Sequence, residues 1–118
     1  MANKLLIFIG EKQAFDVDAL DRALSSIPRW TVALHGPAIG ARSEYLCVQD
    51  PLHELIVRIS PDAETVTIDG DFDTSLAFAL ALQTALPTPL RMIDMGYNFD
   101  LALTEFGSSE ELRSALAS

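Results

Sequence analysis

The sequence predicts an α+β fold in a single domain: a mainly antiparallel sheet of about six to seven strands covered by two to three helices. Three observations support this prediction. The length of 118 residues fits one domain. A hydrophobic fraction of 49% provides enough apolar side chains for one core. Short apolar or alternating segments between turn residues predict strands, and most of their connections are too short for parallel crossovers.

The first half of the chain is predicted to fold as β-α-β-β. An apolar run ended by Gly10 is typical of a buried strand. A short amphipathic helix follows, with Asp16 or Asp18 as its N-cap and Pro28 closing it. The predicted strands of this half cover residues 4–9, 30–35 and 44–49.

The second half is predicted to continue as β-β-α-β-β-α. A turn over residues 60–63 joins two alternating strands in a hairpin. Two later strands flank Gly96, and they form either a second hairpin or one bent strand. Ser108 and Glu111 have capping-box spacing and begin a terminal helix. The predicted strands cover residues 54–59, 64–69, 90–94 and 99–103, and the helices cover residues 75–86 and 109–117.

The helix over residues 75–86 is expected at the centre of the fold. Gln83 and Thr84 are its only polar residues between Leu76 and Leu86, so most of its faces are apolar. Either Asp73 or Thr74 supplies the predicted N-cap. The helix ends at the Pro-Thr-Pro segment over residues 87–89, because proline lacks an amide donor and disfavours helical geometry in the residue before it.

Charge is distributed very unevenly along the chain. The 8 basic and 17 acidic residues give a net charge of −9. Residues 1–60 hold 6 basic and 7 acidic side chains, a net of −1, and residues 61–118 hold 2 and 10, a net of −8. This balance disfavours direct binding to nucleic-acid phosphates. A negative field of this kind steers basic proteins towards it, although a solubility role explains the same charge.

No stretch of the sequence carries a specific catalytic or cofactor motif. Cys47 is the single cysteine and lies in a strand-like apolar setting, which predicts a buried thiol. His35 and His53 lie beside turns and lack a partner at ligand spacing. The aspartates of residues 69–73 resemble the start of a calcium loop, but the required glycine and glutamate are replaced by Thr74 and Leu80. We therefore predict no enzyme activity, no cofactor and no metal site.

The sequence also lacks features of export or membrane insertion. The apolar run near the N-terminus spans only residues 5–9, too short for a signal-peptide core. The apolar helix of about 12 residues is too short to cross a bilayer. We therefore expect a cytoplasmic protein without a membrane partner.

The last third of the chain has a recognisable combination of segments. Residues 90–94 read Leu-Arg-Met-Ile-Asp, residues 97–103 read Tyr-Asn-Phe-Asp-Leu-Ala-Leu, and a Ser-Ser-Glu-Glu-Leu helix start follows. This combination resembles small acidic immunity proteins of bacterial contact-dependent and polymorphic toxin systems. The resemblance implies a non-enzymatic protein that binds and blocks a cognate toxin domain. For a cytoplasmic protein, such a toxin acts in the cytoplasm, which points to a basic, nuclease-like domain.

We therefore predict an immunity or inhibitor protein whose acidic C-terminal half occludes the active site of a basic toxin. Two alternatives stay open: a small enzyme or small-molecule binder that uses His35 or His53 with carboxylates, and a module that self-associates through a strand edge. The candidate partner-binding residues are Asp69, Asp71, Asp73, Asp94 and Asp100 for charge and Tyr97 as an aromatic anchor.

Overall fold

A computed structural model describes residues 3–10, 12–94 and 99–117 of the chain. It confirms the α+β fold and shows the predicted order of elements, with one short 3-10 turn added at Leu103–Glu105. The elements are β1 (Asn3–Phe8), α1 (Val17–Ser26), β2 (Thr31–Ala38), β3 (Ala41–Asp50), β4 (His53–Ile59), β5 (Thr65–Gly70), α2 (Phe72–Ala85), β6 (Arg91–Asp94), β7 (Asp100–Ala102) and α3 (Ser109–Ala117).

All seven strands form one sheet in the order β2-β3-β4-β5-β1-β6-β7, and every neighbouring pair is antiparallel. Strand β1 lies between β5 and β6, which are therefore parallel to each other and joined by α2 in a split β-α-β arrangement. The open question about the last two strands is also answered: β6 and β7 pair as an antiparallel hairpin. Residues 95–98, which connect them, lie outside the described residues.

The helices cover one face of the sheet. Alternate strand residues such as Leu5, Val57 and Ile68 are fully buried, and they share a single cluster with buried side chains of all three helices. Burial of each such side chain contributes about 1.5–3 kcal/mol to the free energy of unfolding. No described residue of the opposite parity on β1, β4, β5 or β6 is buried. We call this helix-free side of the sheet the open face.

Helix α2 lies between α1 and α3 and contacts β1, β4 and β5. It begins three residues earlier than predicted, and its N-cap is Asp71 rather than Asp73 or Thr74. Asp71 has extended backbone angles, and its Oδ2 accepts hydrogen bonds from the N–H and the hydroxyl of Thr74 at 3.0 and 2.9 Å. An aspartate in this geometry satisfies an amide of the first turn and ends strand β5 at the same point.

The outer strand β2 differs most from its prediction. It continues to Ala38 through Gly36 and Pro37, because shifts in the β2–β3 register accommodate both residues. Leu34 lies on the helix side of the sheet yet is 59% exposed, since β2 forms the margin of the sheet. Trp30, just before β2, packs edge-on against the ring of Phe78 with centroids 5.0 Å apart.

The remaining boundaries shift by a few residues. Strand β3 is longer than predicted, and β7 is shorter because the 3-10 turn follows it. Asp16 caps α1, accepting hydrogen bonds from the second and third residues after it. At α3, Ser108 accepts the N–H of Glu111 at 3.2 Å as predicted, but the Glu111 carboxylate accepts from the N–H of Gly107 instead of Ser108.

Candidate functional site: the acidic end of the sheet

The antiparallel register collects carboxylates at one end of the sheet. Strands β3, β5 and β6 finish at this end, whereas β4 and β7 begin there. Residues that are far apart in sequence therefore become neighbours. We call the resulting group the acidic end, and its members are Asp50, Glu54, Asp69, Asp71, Asp73, Asp94 and Asp100.

All five aspartates of the predicted binding set belong to the acidic end. The predicted aromatic anchor Tyr97 lies in residues 95–98, outside the described residues. Asp50 and Glu54 were not predicted. The predicted turn between β3 and β4 could have placed them, because the last residue of one hairpin strand and the first residues of the next lie at the same end of a sheet.

Asp69 lies at the inner margin of the acidic end, on the open face. Arg58 on the neighbouring strand β4 reaches its Oδ2 at 3.5 Å and makes a shorter contact of 2.8 Å with Glu44 on β3. The hydrogen bond to Glu44 is the main reason why the pKa of Arg58 is raised. These three half-buried side chains form one ion-pair network across three strands.

Asp71 and Asp73 lie where helix α2 begins. The N–H of Thr74 lowers the pKa of Asp71 below its usual range, because that hydrogen bond favours the charged carboxylate. Asp73 in the first turn forms an ion pair with Nε of Arg113 on α3 at 3.0 Å. Both carboxylates are exposed and lie at the positive end of the helix dipole, where negative charge is stabilised.

Asp94 and Asp100 complete the acidic end on β6 and β7. Asp100 accepts from Arg91 at 2.8 Å in a pair that is about half exposed. Asp94 faces the helix side of the sheet, because it lies opposite buried Leu5 in the register. Three arginines, Arg58, Arg91 and Arg113, form ion pairs with three of the seven carboxylates, so 3 − 7 leaves these ten groups with a net charge of −4.

His53 pairs with a carboxylate at the same end. Its Nδ1 lies 2.8 and 2.9 Å from the two oxygens of Asp50, and this contact lowers the pKa of Asp50. Asp50 also accepts the N–H of Leu52, so the pair braces the tight turn between β3 and β4. His35 is exposed on the margin strand. Neither histidine lines the surface depression beside Leu6, Phe8 and Ile93 or the depression between α1 and the end of α2.

Metal ligation has no support among residues 3–10, 12–94 and 99–117, where no three His, Cys, Asp or Glu side chains are grouped closely enough to hold an ion. Within the same described part of the chain, no helix is long and apolar enough to cross a membrane. Comparison with protein-family models, curated proteins and solved structures found no match to this chain.

The chemistry available at the acidic end is electrostatic. Its ion pairs expose between 21% and 61% of each side chain, and pairs of that kind contribute only about 0–1 kcal/mol each. Arginine or lysine side chains from another protein can therefore replace the internal partners at little cost. A surface of this kind attracts positively charged groups of other molecules.

Proposed function

We propose that this protein is an immunity-type inhibitor that binds a basic, nuclease-like toxin domain through its acidic end and occludes the toxin's active site. The observation that carries the proposal is the collection of seven carboxylates at one end of the sheet. The resemblance of the last third of the chain to small acidic immunity proteins supports the same function.

In this mechanism the carboxylates replace nucleic-acid phosphates against the toxin's lysine and arginine side chains. Long-range attraction first raises the rate of encounter, since the field around the acidic end acts before contact. On docking, cations of the toxin exchange with Arg91 and Arg113 at the carboxylates of Asp100 and Asp73. Each new charge-assisted hydrogen bond is stronger than a neutral one, and the bound inhibitor then covers the phosphate-binding groove.

The decisive experiment compares two triple variants with the same change in net charge. The test variant is E54Q/D94N/D100N at the acidic end, which leaves the Asp71 cap intact. The control variant is D18N/E64Q/E105Q, whose positions lie at the start of α1, the β4–β5 turn and the 3-10 turn, all at the opposite end of the sheet. The partner, immobilised for surface plasmon resonance, is a basic nuclease-like toxin domain of the kind proposed, sought first among the genes adjacent to this one.

We expect the test variant to lower the association rate at low salt by at least about tenfold and the control to change it by less than about twofold. High salt should remove most of the difference, because screening weakens attraction between exposed charges. Equal association rates for the two variants, or a rate independent of salt, would show that the acidic end is not the binding surface. Loss of toxin activity on adding the native chain tests inhibition itself.

A further inference from the structure

The open face of the sheet has features of a contact surface that the acidic end lacks. We propose that a second copy of this chain docks on it, so that two sheets stack face to face in a two-fold symmetric dimer. An antiparallel sheet with one solvated face normally carries polar side chains there. Here that face holds six large apolar side chains, each half-buried within the single chain: Leu6, Phe8, Leu46, Val48, Ile56 and Ile93.

The balance of charge on the open face favours a second copy as the occupant. Its described strand positions hold four cations, Lys4, Arg42, Arg58 and Arg91, and four anions, Glu44, Glu54, Asp69 and Asp100, so 4 − 4 gives zero. The whole chain carries −9. A face whose strand positions sum to zero charge is where two such chains meet with least repulsion.

Five of the eight charges on the open face are already paired within one copy. Arg58 contacts both Glu44 and Asp69, and Arg91 contacts Asp100. A second copy therefore covers these five without separating a charge from its partner, which is the costly outcome when ions are buried. The free energy of dimer formation comes from burial of the apolar side chains around these ion pairs.

The face is large enough for a stable dimer. Seven strands at about 4.8 Å spacing and about five residues of 3.3 Å rise give roughly 550 Å² per copy, or about 1,100 Å² for two. Specific interfaces generally exceed about 1,000 Å² in total. The molecule's 38 × 36 × 27 Å extents accommodate a sheet of this width.

The acidic end sets the orientation of the two copies. A two-fold axis that runs across the strands places the acidic ends at opposite extremes of the dimer and keeps them apart. The other end of the open face contains a depression of about 420 Å³ whose apolar lining includes Leu6, Phe8 and Ile93. Its lining also includes Lys12, Asp62 and Glu64, so only the apolar part of the depression adds to the apolar area that a second copy covers.

Pairing through a sheet edge is a poorer route to the same assembly. The β2 edge is interrupted by two register shifts around Gly36 and by Pro37, which has no N–H to donate. At the other edge, β7 has only three residues. Bulged, proline-containing or very short edge strands are features that prevent edge-to-edge association.

Sedimentation equilibrium of the native chain from micromolar to near-millimolar concentration, at low and high salt, tests the proposal. We expect the mass to rise from 12.9 kDa towards twice that value, and more readily at high salt, because screening weakens repulsion between two −9 chains. Binding of the basic toxin has the opposite salt dependence, so failure of one proposal is distinguishable from failure of the other. A monomer at all concentrations and salts overturns the dimer.

Matched variants locate the contact. I56K and L46R place charge on the open face and should each raise the dimer dissociation constant by at least about tenfold. L34K changes a residue that is 59% exposed on the helix side of the margin strand, and it should leave the constant within about twofold. Circular dichroism melts confirm that each variant folds. A dimer that survives both I56K and L46R, or that only L34K disrupts, overturns the assignment to the open face.

Discussion

Oε1 of Gln83 in helix α2 accepts a hydrogen bond from the backbone N–H of Leu90 at 2.6 Å. Its Nε2 donates to the carbonyl of Thr88 at 2.9 Å. Pro87 and Pro89 have no N–H of their own, so this single side chain supplies the hydrogen bonds that align the chain between α2 and β6. The one polar group that is half-buried in the last turns of the helix therefore positions the strand that follows.

Replacing Gln83 with Met should lower the free energy of unfolding by about 1–3 kcal/mol. Methionine keeps the volume but leaves the Leu90 N–H and the Thr88 carbonyl without partners. Urea denaturation measures the change. The matched control is T84A, whose exposed hydroxyl bonds only to Leu80 of the same helix and whose loss should matter by less than about 0.5 kcal/mol. Equal effects of the two substitutions would contradict the role given to Gln83.

A second prediction concerns the hydrogen bond between β3 and α1. The buried phenol of Tyr45 donates to Oδ1 of Asp21 at 2.9 Å. Y45F should reduce the free energy of unfolding by about 1 kcal/mol, because it leaves a carboxylate without its donor while keeping the ring. A double-mutant cycle with D21A measures the coupling between the two side chains. A coupling energy near zero would show that the bond contributes nothing to stability.

Two aspartates two residues apart should differ in their effect on stability. D71A removes the N-cap of α2 and should cost about 1 kcal/mol in the free energy of unfolding. D73A removes only an exposed ion pair with Arg113 and should cost less than about 0.5 kcal/mol. Thermal melts of both variants at one pH provide the comparison. The reverse ranking would indicate that the α2–α3 ion pair, and not the cap, holds the start of this helix.

Gly70 is predicted to be intolerant of a side chain. A Cβ at this position would overlap Cδ2 of Leu55, which is 1% exposed and has little room to move, and would approach the carbonyl of Glu54 to 3.2 Å. G70A should therefore destabilise the fold by about 1–3 kcal/mol. G10A is the control, since its Cβ would meet only the side chain of Gln13 at 3.5 Å. Similar denaturation midpoints for the two variants would argue against a steric limit.

Stability should fall at alkaline pH. Burial raises the pKa of Cys47 from 9.0 to about 12, and burial together with Asp21 raises the pKa of Tyr45 from 10.0 to about 12. Above pH 9 the unfolded chain releases protons that the folded chain retains, so the free energy of unfolding decreases from about pH 9 towards pH 12. C47A should make the decrease in the free energy of unfolding smaller between pH 9 and 10, because in this range the thiol is the main group of the two that loses its proton in the unfolded chain. An unchanged slope in C47A would contradict this assignment.

Local sequence patterns predicted much of the fold, because burial of one face of a strand requires an apolar side chain at every second residue. The alternation of Leu55, Val57 and Ile59 predicted which face of β4 is buried, and all three are at most 1% exposed. The exposure of Leu34 was not predictable from the same kind of pattern, since it depends on β2 lying at the margin of the sheet. Alternation describes the two faces of a strand but carries no information about which strand is outermost.

The acidic end was only partly predictable for a similar reason. Clustering of Asp69, Asp71 and Asp73 follows from their adjacency in sequence. Asp100 and Glu54 join them through the pairing of β6 with β7 and of β4 with β5, which is a long-range property. The ionic partners of these carboxylates, such as Arg58 for Asp69, depend on that register as well.

The interior position of β1 in the sheet has a consequence for biosynthesis. This strand leaves the ribosome before both of its neighbours, since β5 and β6 begin about 60 and 90 residues after it. Until they emerge, its apolar residues have no lasting partners, and only the β2–β3–β4 meander can assemble from nearby segments. The first of these seven strands to be translated is thus among the last to be enclosed, and a nascent chain stalled before residue 94 would display it to chaperones.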